Sequence, residues 1–122
     1  MKKAACVCML LALMITGCAR ESYIEKGLEQ LQDTKYEEAI ETFEKSIEKE
    51  ADIASAYRGL GIAYWELEQY KEAKTAFQSA LSEGAKRTGT IYNFLGICEM
   101  KEENYQEALD AFSLGLAAES ES

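Results

Sequence analysis

Chemistry in this sequence would fall to thiols and carboxylates, because none of its 122 residues is a histidine. Without an imidazole there is no His-based general base, no nucleophile–His pairing and no His metal ligand. The cysteines are Cys6, Cys8, Cys18 and Cys98. Cys6 and Cys8 lie inside the apolar run 4–15, Cys18 closes the segment Ile15-Thr16-Gly17-Cys18, and Cys98 stands alone further on. They make no paired set that would hold zinc. The 22 carboxylates are interleaved with lysines at helical spacing, as in Glu41 and Lys45, which is the pattern of exposed helix pairs and not of an acid/base dyad. The glycines form neither a G-x-x-x-x-G-K-[ST] loop nor a G-x-G-x-x-G turn after a strand. These absences read as a non-enzyme with no cofactor and no metal.

The residues that do recur are structural. Tyr57, Leu60, Gly61 and Tyr64 share one face of a helix by their spacing, and Ala73, Phe77 and Ala80 share a face of a second. Between them Glu68-Gln69 leaves room only for a tight antiparallel turn. Tyr23, Gly27, Ala39, Phe43 and Ser46 repeat the pattern 34 residues earlier, and Tyr92, Leu95, Gly96, Ala108, Phe112 and Gly115 repeat it 35 residues later. Tyr36, Tyr70 and Tyr105 mark the start of each second helix. Spacing and residue types resemble the tetratricopeptide repeat. The resemblance implies an all-α chain, an α-solenoid of three antiparallel helix pairs after an N-terminal signal segment, with repeats at about 20–52, 54–86 and 89–118. There is no proline; Ala51, Ala85 and Ser120 stand at the repeat ends where the family usually has one. The helices must therefore end on caps and on Gly84, with Asp52 and an Asn104/Glu107 capping box expected at N-termini. In the first repeat Lys26 and Gln30 replace the motif Leu and Tyr, as suits a terminal repeat with no upstream neighbour. Cys98, at the position of Ala63, reads as a small buried residue.

The first 22 residues follow a different logic. Lys2 and Lys3 precede the apolar run, which is shorter than the roughly 20 residues needed to span a bilayer. With Ile15-Thr16-Gly17-Cys18 after it, this resembles a bacterial lipoprotein signal peptide and its lipobox. The resemblance implies that 1–17 is removed, that Cys18 carries the lipid, that 18–22 forms a short tether, and that the protein is extracytoplasmic, held on the cell or outer membrane. Four extended tether residues reach at most roughly 14 Å, so partners would be met close to the membrane. Residues 119–122 read as a frayed tail.

Net charge is −9, which argues against nucleic acid and against docking on an anionic membrane through the protein surface. The expected role is a membrane-anchored adaptor that binds a peptide or protein partner at the envelope through its concave face. The alternative is a spacer or assembly factor without a dedicated peptide groove. The concave row falls at i, i+4, i+7 of each first helix: Ile24, Leu28 and Leu31, then Arg58, Ile62 and Trp65, then Asn93, Ile97 and Met100. Trp and Arg are common binding anchors. The loop 84–89 carries Lys86 and Arg87, a small basic spot. The sequence leaves no polar helix after the third pair, so an open edge is expected at Leu109, Leu114 and Leu116, suited to a partner helix or to a homodimer.

Overall fold

The computed structural model describes residues 22–121. The signal segment, Cys18 and most of the tether lie outside the described residues. Six helices follow in order: α1 (Tyr23–Gln32), α2 (Tyr36–Glu48), α3 (Ile53–Glu66), α4 (Tyr70–Ser82), α5 (Thr88–Lys101) and α6 (Tyr105–Ser120). Each helix packs on the next, and α1 also touches α3, so three hairpins stack in sequence order. Helix α6 runs on to Ser120, past the expected start of the frayed tail. Continuous i→i−4 bonding through Ala117 and Ala118 explains this, since nothing there breaks a helix.

The hairpin turns are built from backbone. Thr34, Glu50, Glu68 and Glu103 adopt left-handed φ values of 54–64°, and Gly84 does the same at 82°. Past each of them an amide reaches back five residues: Lys35 N to Gln30 O, Ala51 N to Ser46 O, Gln69 N to Tyr64 O, Ala85 N to Ala80 O and Asn104 N to Glu99 O, all 2.8–2.9 Å. This is the Schellman ending, which satisfies carbonyls that the helix leaves open. Only one of the five uses glycine, so the other four carry backbone strain that the stacked neighbours must hold in place.

The expected side-chain caps do not form. Asp52 is left-handed at φ 48°, which takes its carboxylate out of the extended geometry a capping residue needs. The Asn104 amide instead donates to Glu99 Oε2 at 2.9 Å, so no capping box with Glu107 exists.

The core sits at the joints between hairpins. One cluster holds Ala39, Phe43, Ala56, Leu60 and Ala76, so it joins the first repeat to the second. The other holds Ala73, Phe77, Ala80, Ile91, Leu95, Cys98 and Ala111, so it joins the second to the third. Three phenylalanines organise this packing. Phe43, Phe77 and Phe112 each lie over the glycine of their own repeat, namely Gly27, Gly61 and Gly96. A β-carbon at Gly61 would lie 2.6 Å from Phe77 Cδ1, and one at Gly96 would lie 2.6 Å from Phe112 Cε1. The small residues therefore make room for a ring and not for a second backbone. Backbones do approach closely where α5 crosses α6, since a β-carbon on Gly115 would stand 3.3 Å from Gly89 O. Tyr23, Tyr57, Tyr64 and Tyr92 are half-buried around these rings, and Ala108 is buried. At the upstream end Gln30, which replaces the motif Tyr, has a polar partner: its Oε1 accepts from Thr42 Oγ1 at 2.6 Å.

Candidate protein-interaction surface

The row expected to form the concave site is divided by the stacking. Leu28, Asn93 and Met100 are exposed, while Ile24, Leu31, Arg58, Ile62, Trp65 and Ile97 are half-buried. In the second repeat the row turns into the joint with the third. Ile62 and Trp65 pack against the second core cluster. Trp65 meets Phe94 edge to face at 5.3 Å, and Phe94 stacks on Phe77 at 5.1 Å. Packing on Phe94 and on the second core cluster makes Trp65 a joint residue first. Arg58 reaches the next inter-repeat loop, donating from Nη1 to Lys86 O at 3.2 Å. Burial, and then the charge of Arg87, lower the Arg58 pKa, so the expected basic spot contains Arg58 as well as Lys86 and Arg87. Spacing in the sequence sets this row on one helix face, and the structure agrees. Only the neighbouring repeat decides which of its members stay open.

A groove of about 350 Å³ is a feature that the sequence does not announce. It lies between α3 and α4, lined by Tyr57, Leu60 and Tyr64 on one side and by Lys71, Glu72 and Thr75 among others. It is roughly 120° round α3 from the concave row. Tyr57, Leu60 and Tyr64 read from sequence as pure packing residues, and their exposed edges give no periodic signal. Burial, followed by Glu44 and Glu72, raises the Tyr64 pKa. The groove is a mixed apolar and polar cleft.

The joint between the second and third repeats also carries its charge network. Lys74 Nζ lies 3.1 Å from both Glu99 Oε1 and Glu102 Oε1. Burial alone would lower the Lys74 pKa, but its bonds to Glu102 and Glu99 outweigh that and raise it. Cys98 is fully buried beside this network, and burial, with Glu102 next, pushes its thiol up to about 11 from 9.0. A thiol with such a pKa is about 0.1 % thiolate at pH 8, so it is inert. The sign of the pH effect follows. Both Cys98 and Lys74 hold their protons more tightly when folded, so their contribution is complete below pH 9 and falls as pH rises. For Cys98 the loss spans pH 9 to 11. Urea melts across that range should show wild-type stability dropping more steeply than that of Cys98→Ala; parallel curves would remove Cys98 as a source of the alkaline sensitivity.

The expected open edge is exposed at all three positions, Leu109, Leu114 and Leu116. They do not form one edge. Leu109 and Leu116 lie on the same face of α6, whereas Leu114 is roughly 140° round from Leu109. Leu114 occupies the place of Ser79, a residue that lines the groove in the preceding repeat. Among the described residues no group of three or more His, Cys, Asp or Glu could hold a metal ion, and no helix is long and apolar enough to cross a membrane.

These features match known proteins. The sequence profile described as "Tetratricopeptide repeat" matches residues 24–88 and again residues 60–121. The TPR repeat-containing protein YsoA of Bacillus subtilis (strain 168) is 29% identical over 65 residues, 53% of this chain and 20% of YsoA. Among solved structures, MamA 41-end from Desulfovibrio magneticus RS-1 superposes with a TM-score of 0.71 at 25% identity, covering 82% of this chain and 56% of that one. The MamA RS-1 ArsTM double mutant gives the same score and identity over 81% of this chain and 55% of that one. The chain thus spans about a fifth of its curated relative and just over half of the solved structures. Family match, helix-pair stacking and the repeated ring-over-glycine contact agree: the chain belongs to the tetratricopeptide repeat family and has the family's all-α fold, that of a protein–protein interaction module.

Proposed function

We propose that this chain is a lipid-anchored adaptor at the bacterial cell envelope, with its repeats binding a peptide or protein partner through the concave row. The observation that carries the binding half is the presence of exposed Leu28 and Asn93 and half-buried Arg58 on consecutive first helices, which offers a partner both apolar and polar groups. The anchoring half rests on the sequence of 1–18, whose basic head, apolar run and Cys18 resemble a lipoprotein leader. A diacyl group on Cys18 would supply the two chains that stable anchoring needs. A second reading, a structural spacer with no groove in use, is favoured by the packing of Ile62 and Trp65 into the joint.

Two measurements test the proposal. Affinity capture from detergent-solubilised membranes is compared for wild type and for Leu28→Glu with Asn93→Lys, both exposed positions. Loss of one identified partner at unchanged melting temperature supports the concave site, and an unchanged partner set favours the spacer. Cys18→Ala should leave a full-length, unlipidated precursor. Mature-size protein from Cys18→Ala in the soluble fraction would overturn the anchor.

A further inference from the structure

Gln30, Tyr64 and Glu99 hold one register position on the three first helices. Two of them are satisfied from inside the molecule. Gln30 Oε1 accepts from Thr42 Oγ1 at 2.6 Å. Glu99 Oε1 and Glu102 Oε1 each lie 3.1 Å from the Lys74 ammonium. Around Tyr64 the matching positions are apolar. Ala76 stands in the register of Thr42, and Ile40 in that of Lys74. Neither a hydroxyl nor an ammonium meets Tyr64 from those two places.

Tyr64 instead lines the groove of about 350 Å³ between α3 and α4. That volume is in the range of small-ligand sites. Its floor is apolar: Leu60 and Ala76 are buried, and Tyr57 and Tyr64 are half-buried along it. Carboxylates approach Tyr64 from two helices. Glu72 lines the groove on α4, and Glu44 comes from α2; after burial, these two charges raise the Tyr64 pKa. Both are exposed, and among the described residues neither is held in an ion pair. Lys71, exposed on the rim, makes no ion pair either.

Charge chooses the occupant. Two carboxylates against one lysine leave the cleft negative, so an anion is repelled and an uncharged group leaves both unpaired. Tyrosine rings also attract organic cations. The second joint holds a built-in example of the fit. There the half-buried stem of Lys74 lies between α4 and α5, with its ammonium on two carboxylates.

We propose that the groove between α3 and α4 takes a lysine or arginine side chain from a segment of a partner protein, its stem on Tyr57, Leu60 and Tyr64 and its charge between Glu44 and Glu72. This rests on the reading of the chain as an interaction module but uses a surface separate from the concave row. The test is a titration of the full chain in detergent micelles, followed by NMR of carbon-13-labelled tyrosine rings. The probe is N-acetyl-arginine amide, and N-acetyl-glutamine amide is the uncharged control. Tyr23 and Tyr92 hold the register of Tyr57 in the other repeats, so they report general attraction to an acidic protein. The expected result is saturable shifts at Tyr57 and Tyr64 with the arginine probe, small shifts at Tyr23 and Tyr92, and no saturation with the glutamine probe. Glu44→Gln with Glu72→Gln should weaken binding by roughly threefold or more, as the loss of two partly exposed ion pairs would. Lys71→Gln should strengthen it. Glu107→Gln, in the register of Glu72, should leave it unchanged. All four positions are exposed, so these variants keep the fold. Equal shifts at Tyr23 and Tyr92, equal binding of the glutamine probe, or no effect of the double variant overturns the proposal. A response lost with Leu28→Glu and Asn93→Lys, and not with the glutamate pair, would move the cation to the concave row and overturn it too. An intact titration beside an unchanged partner set for the concave variants removes the concave site and leaves this one standing.

Discussion

Gly61→Leu should lower the unfolding free energy by roughly 3 kcal/mol, the upper part of the range for overpacking a core. The first added carbon already lies 2.6 Å from Phe77 Cδ1 and Cε1. Phe77 has little room to retreat, because it is fully buried and also stacks on Phe94 at 5.1 Å. Better helix propensity gains back only about 1 kcal/mol, too little to change the sign. For a domain near this size the loss corresponds to a melting temperature lower by roughly 4–8 °C per kcal/mol. Gln78→Leu, on the exposed side of α4, serves as the control and should stay within about 0.5 kcal/mol of wild type. Equal melting temperatures for Gly61→Leu and Gln78→Leu would refute the ring-over-glycine contact.

Phe43→Ala should cost roughly 3–5 kcal/mol, because it removes a fully buried ring held between two helices and leaves a cavity that cannot collapse. Phe43 lies between Gly27 of its own repeat and Gly59 of the next. Its removal therefore empties both the hairpin and the joint. Phe112→Ala should cost clearly less, since Phe112 has Gly96 on one side and no following repeat among the described residues on the other. Urea melts at constant m-value separate the two. A Phe112→Ala loss as large as that of Phe43→Ala would mean that the α6 face is covered in solution.

Much of this architecture is legible in the sequence, for a physical reason. Helical periodicity and a repeat of 34 or 35 residues fix which side chains share a face, so the places of Gly61, Phe77, Gly96 and Phe112 follow from spacing alone. The burial of Cys98 follows from its register with Ala63. The features that spacing misses depend on the backbone between helices or on the neighbouring repeat. Asp52 is an N-cap by residue type, but its left-handed backbone withdraws the carboxylate, and Schellman endings at non-glycine residues leave no compositional trace. Trp65 has the character of a binding anchor, yet Phe94, 29 positions on, claims its ring. Leu109, Leu114 and Leu116 resemble one apolar edge when read as a run of leucines; on the helix Leu114 faces elsewhere.

Hydroxyl-radical footprinting of the purified protein tests the central claim most directly, namely that residues 22–121 form three stacked repeats with the α6 face exposed among the described residues. Equivalent residues of one type are compared, so intrinsic reactivity cancels: Tyr105 with Tyr70, Leu116 with Leu81, and Phe112 with Phe77. The account predicts faster labelling at Tyr105, Leu116 and Phe112 than at their covered counterparts, with Phe43 as protected as Phe77. Equal labelling within each pair, in a sample shown to be monomeric, would contradict it.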